Sequence, residues 1–128
     1  MSEGAKRLLK FATVAGMAMV HTAASADQVR FTGQTRADGV LAKDILQNVL
    51  RYAFATDKCS SLTEVEASTL SGYQPADTRY RVGKGTIIYE RWTATLCGKK
   101  VKFLVSYWPV ESGGSDFALG VPYPADAP

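Results

Sequence analysis

The chain has 128 residues, of which 46% are hydrophobic and 21% charged, with 11 Gly, 5 Pro and 2 Cys. That length and balance suit one folded domain and exclude a collagen-like or generally disordered chain. The formal charge of +3 is mild, and a nucleic-acid footprint needs clustered cations rather than a small excess.

Residues 1–26 read as a secretory signal peptide. Lys6, Arg7 and Lys10 make a positive start, residues 11–20 form a short apolar run, and Ala24-Ser25-Ala26 is an A-x-A cleavage site before Asp27. The run is shorter than the ~20 apolar residues of a spanning helix, so no stable membrane insertion is expected after cleavage. No cysteine adjoins the cleavage site to carry a lipid. The competing reading is an amphipathic N-terminal helix that stays on the protein. Cleavage removes three of the 15 basic residues and one of the 12 acidic ones, leaving 102 residues with a net charge of +1. The basic excess leaves with the leader, so no nucleic-acid partner is expected. The only histidine, His21, leaves too. The expected location is the periplasm or the secreted fraction.

Cys59 and Cys97 remain. In an exported domain of this size, two cysteines most simply form one disulfide. It would contribute about 2–4 kcal/mol by restricting the unfolded chain. A pair of redox-active thiols is the alternative, and the spacing is not C-x-x-C.

A single α+β domain is expected over 27–121. Residues 27–37 are polar, with Val29 and Phe31 in alternation, and suit a short edge strand or a loose arm. Asp38 is a candidate N-cap for a helix over 39–54. Leu41, Ile45, Val49 and Tyr52 form its apolar stripe, widened by Ala42, Leu46, Leu50 and Ala53. Residues 60–70 are strand-like with partial alternation. Residues 71–85 form a loop with Gly and Pro at both ends. Strands are expected over 86–97, 100–108 and 115–121. The tail, 122–128, should be extended or disordered.

Gly98-Lys99 suits a two-residue hairpin turn with Gly first. Trp92 would then face Val105, Glu90 would face Tyr107, and Tyr89 would face Trp108. One hairpin face is apolar except at Glu90; the other is mixed. A one-residue slip would turn lysines inward, so the pattern selects this register. The disulfide makes the 60–70 and 86–97 strands antiparallel neighbours. The expected architecture is one amphipathic helix packed on a four-stranded antiparallel meander. It resembles a cystatin-like roll in general plan, which implies no function.

Little chemistry is visible. Without histidine there is no imidazole base for a Ser or Cys nucleophile. No metal is expected: zinc has no Cys/His set, and Glu64 and Glu66 read as a solvated strand face. Gly83-Lys84-Gly85 lacks the strand–loop–helix setting of a phosphate loop and reads as a turn. No cofactor is expected. Glu90 interrupts the apolar face, so partial desolvation would raise its pKa and suit a general acid or base. The plainer reading pairs it with an arginine or the Tyr107 hydroxyl.

The mixed hairpin face is the better candidate site. Tyr89, Arg91 and Trp108 lie on it, and the loop adds Tyr73, Arg79, Tyr80 and Arg81. Aromatic and arginine residues grouped on one surface suit recognition. A cross-strand pair that only stabilises the sheet, or one covered by the N-terminal arm, is the alternative.

Glu90, Trp92, Cys97-Gly98, Phe103, Val105, Pro109, Gly113-Gly114, Asp116 and Phe117 make a pattern E-x-W-x(4)-C-G, F-x-V, P, G-G-x-D-F. It resembles that of a class of small exported bacterial proteins with no assigned activity. The resemblance implies export and a β-rich C-terminal half, and no catalytic residues. The expected function is a non-enzymatic binding or inhibitor module for an envelope protein or polysaccharide. The alternatives are a structural accessory subunit of an envelope complex and a small hydrolase using Glu90.

Overall fold

Asp38 starts the helix as its composition predicts. In the computed structural model, which describes residues 29–128, its Oδ1 accepts a hydrogen bond from the Leu41 amide at 2.8 Å. Helix α1 runs Gly39–Asp57 and ends at Lys58 in a left-handed conformation, whose N–H closes on Ala53 and Phe54 carbonyls. Leu41, Ile45, Leu46, Val49 and Ala53 are its buried residues. The expected leader and cleavage site lie outside the described residues.

The strands are β1 (Arg30–Gly33), β2 (Leu62–Thr69), β3 (Ile88–Leu96), β4 (Lys99–Pro109) and β5 (Ser115–Gly120). They form one sheet in chain order. The class is α+β. The sheet has five strands and is mixed, correcting the expected four-stranded antiparallel meander. Strand β1 pairs parallel with β2, Phe31 beside Val65. The other neighbours are antiparallel. A parallel pair needs a crossover, and α1 supplies it. Gly33 permits the close approach of β1: its φ is +85°, and a Cβ there would fall 2.1 Å from the Ala67 carbonyl oxygen.

A bulge between Leu62 and Glu64 resets the alternation of β2. Leu62 and Val65 therefore both turn inward despite their odd spacing. This explains the partial alternation of 60–70.

The β3–β4 hairpin corrects the expected register by two residues. The turn is Cys97-Gly98, and Leu96 faces Lys99, Trp92 faces Phe103, and Glu90 faces Val105. Cys97 and Gly98 both have positive φ, 50° and 81°, the twist that right-handed hairpin strands favour. Two residues is one strand period, so every side chain keeps its face. Tyr89 faces Ser106 rather than Trp108. The Cys59–Cys97 disulfide is formed, with 6.0 Å between Cα atoms, and the Cys97 amide also donates to Ser61 O at 3.0 Å.

Two apolar layers result. The main core lies between α1 and the sheet, around Ile45, Val49, Val65, Trp92, Phe103 and Val105. The opposite face carries a smaller layer of Leu70, Tyr89 and Leu104, covered by Tyr73, Tyr80, Ile87 and Tyr123. No helix among the described residues is long and apolar enough to cross a membrane.

Candidate binding cleft

Glu90 is fully buried, on the helix side of β3. Its carboxylate is enclosed by five donors. Oε1 accepts from the Thr35 hydroxyl at 2.7 Å and the Trp92 indole N–H at 2.8 Å. Oε2 accepts from the Tyr107 hydroxyl at 2.6 Å, the Arg36 amide at 2.8 Å and the Thr69 hydroxyl at 3.2 Å. A carboxylate offers about four lone-pair sites, so none is left for a substrate. Burial pushes the Glu90 pKa up, but the hydrogen bonds from Trp92, Tyr107, the Arg36 amide and Thr35 outweigh it and hold the carboxyl below its ordinary value. The expected upward shift is thus reversed. Burial, and then the bond to Glu90, push the Tyr107 hydroxyl well up.

This network fixes the β1–α1 connection to the ends of β2 and β3. Thr35 Oγ1 also accepts from the Ala37 amide at 3.0 Å. With its amide committed to Glu90, Arg36 is held at the sheet end while its side chain is free of partners among the described residues.

Above this end lies a cleft of about 560 Å³ between segments 70–75 and 85–89, with Arg36 on its wall. Arg81 stands on the same cleft. Its Nε donates to the Pro75 carbonyl at 2.6 Å and Nη2 to Ala76 O at 3.4 Å. Tyr73 and Tyr89 meet edge-to-face with centroids 5.8 Å apart. Ser71, Gln74 and Thr86 add exposed polar groups.

Of the seven expected surface residues, Tyr73, Arg81 and Tyr89 come together on this cleft. Tyr89 is only 8% exposed, which corrects its reading as an open recognition residue: the loop and the tail cover it. Arg79 turns away to Asp77, with 2.6 Å between Nη2 and Oδ2. The Tyr80 hydroxyl donates to the Pro122 carbonyl. Arg91 donates to the main-chain oxygen of Pro128 at 3.0 Å. Trp108 is half-buried over Gly83 and lines a second cleft of about 610 Å³ with Lys84, Glu111 and Asp116.

The tail carries neither helix nor strand and docks on the loop. Asp126 accepts from the Tyr73 hydroxyl at 3.1 Å and the Ala76 amide at 3.1 Å. No group of His, Cys, Asp and Glu suited to a metal occurs among the described residues.

Sequence reasoning missed Arg36, Ser71 and Thr86 as wall residues. Ser71 opens the 71–85 loop and Thr86 directly follows it. Arg36 had no such signal, because it reaches the cleft through an amide–carboxylate bond.

Compared with protein-family models, curated proteins and solved structures, the chain matches none significantly.

Proposed function

We propose that this chain is an exported, non-enzymatic binding module that recognises an envelope component through the cleft between segments 70–75 and 85–89. The observation that carries this reading is the cleft itself. At about 560 Å³ it falls in the size range of ligand pockets. Two of its lining residues, Arg36 and Thr69, are held by hydrogen bonds to Glu90. The disulfide and the expected leader fit an oxidising compartment outside the cytoplasm.

A binding role rather than catalysis suits the side chains present. Among the described residues, the one deeply buried acid, Glu90, has its lone pairs occupied, and there is no histidine. A general base needs both access and a free lone pair.

The test passes envelope extract over the immobilised purified chain and over a Thr86→Trp variant. Thr86 is exposed on the cleft wall, so tryptophan there obstructs the cleft without entering the core. The expected result is a protein or polysaccharide retained by the parent and lost by the variant, with unchanged circular dichroism. Nothing retained, or equal retention by both, overturns the reading.

A further inference from the structure

We propose that the cleft at the sheet end is an oxyanion site, taking a phosphate or carboxylate group on the guanidiniums of Arg36 and Arg81; this rests on the cleft being the recognition site. Among the described residues, Arg36 and Arg81 line it and no Asp or Glu does. Field lines converge in a cleft lined by one sign of charge. The guanidinium fork fits both kinds of oxyanion with paired N–H donors.

The arginines are prepared differently. Arg36 is positioned through its backbone, since its amide donates to Glu90 at 2.8 Å. Its guanidinium has no partner among the described residues, so its donors remain available. Arg81 is held through its side chain: Nε is spent on Pro75 O, while Nη1 has no partner among the described residues. A guanidinium already fixed loses less freedom when it binds.

Neighbouring negative charges do not block the site. Glu90 lies on the helix side of the sheet, buried beneath five donors. Asp126, behind Tyr73, is committed to the Tyr73 hydroxyl and the Ala76 amide. The hydroxyls of Ser71 and Thr86 and the Gln74 amide supply further donors on the walls.

The experiment titrates the purified, isotopically labelled chain with inorganic phosphate, sodium glucuronate and glucose at constant ionic strength, following amide chemical shifts. The expected result is saturable shifts at Arg36, Ser71 and Thr86 with at least one anion and none with glucose. Saturation by phosphate assigns a phosphate group; saturation by glucuronate alone assigns a carboxylate. Arg36→Gln should weaken binding about tenfold, the size of a lost hydrogen bond to a charged group. Arg36→Lys, which keeps charge and loses the fork, should fall between. The side chain has no partner among the described residues, so neither change disturbs the fold.

No saturation by either anion, equal shifts with glucose, or unchanged affinity in Arg36→Gln overturns the proposal. If the titration fails while Thr86→Trp still abolishes capture of an envelope component, the cleft stands as a recognition site and only the oxyanion falls.

Discussion

The Tyr107 hydroxyl donates to Glu90 Oε2 across 2.6 Å, although the two residues are not paired in the ladder. Glu90 faces Val105, and Tyr107 faces Ile88. The bond is a diagonal one, reaching along the helix-side face to a carboxylate at the sheet end. It makes Glu90 the junction of β2, β3, β4 and the β1–α1 connection.

Glu90→Gln should destabilise the fold by about 3 kcal/mol, because an amide N–H₂ replaces an acceptor among converging donors. The effect depends on pH. The folded pKa of Glu90 lies below its usual 4.5, so its contribution is complete above that value and is lost as pH falls through the folded pKa. The gap between parent and variant in urea denaturation should be widest near neutral pH and narrow in acid. A gap independent of pH would show that the charge is not what the donors stabilise.

Asp126→Asn should lower the pKa of Tyr73. Burial first, and then the hydrogen bond to Asp126, raise that hydroxyl from 10.0 to about 12. A raised tyrosine pKa means stability that is complete below pH 10.0 and is lost as pH climbs toward about 12. Tyrosinate absorbance should show the Tyr73 titration moving toward 10.0 in the variant, with part of the shift kept by burial. An unmoved titration would separate the tail from the Tyr73 hydroxyl.

Gly83→Ala should destabilise by about 1–3 kcal/mol through positive-φ strain and overpacking. Gly83 has φ +93°, and a Cβ would lie 2.4 Å from Trp108 Cδ2. Trp108 must shift while Trp92 stays sealed, so tryptophan emission should change as the urea midpoint falls. An unchanged emission maximum would place the indole elsewhere.

Reducing the Cys59–Cys97 bridge should cost about 2–4 kcal/mol. The bond spans a sequence separation of 38 and ties the entry to β2 to the β3–β4 turn. Urea midpoints with and without reductant measure the loss. Peptide mass analysis of unreduced protein should recover the two cysteines linked.

Elements with local signals were legible in the residues alone. Asp38 marks the start of α1, and Leu41, Ile45, Val49 and Ala53 mark its buried face, because a helix repeats every 3.6 residues; Tyr52, expected on the same stripe, is exposed instead. The four later strands follow from alternation and turn residues. The inward set Trp92, Phe103 and Val105 survived a two-residue error in register, since side-chain direction repeats every two residues. Two cysteines allow only one intrachain pairing.

Features that depend on distant partners emerged only in the folded chain. Strand β1 has four residues, too few for periodicity to fix an orientation, and its parallel pairing depends on where α1 returns the chain. The partners of Glu90 include a backbone amide, a donor every non-proline residue carries and no sequence marks. That same bond sets Arg36 on the cleft. Coverage of Tyr89 depended on how segment 70–87 and the tail fold back. An alternating strand states which side chains share a face; only the folded chain states what lies over that face.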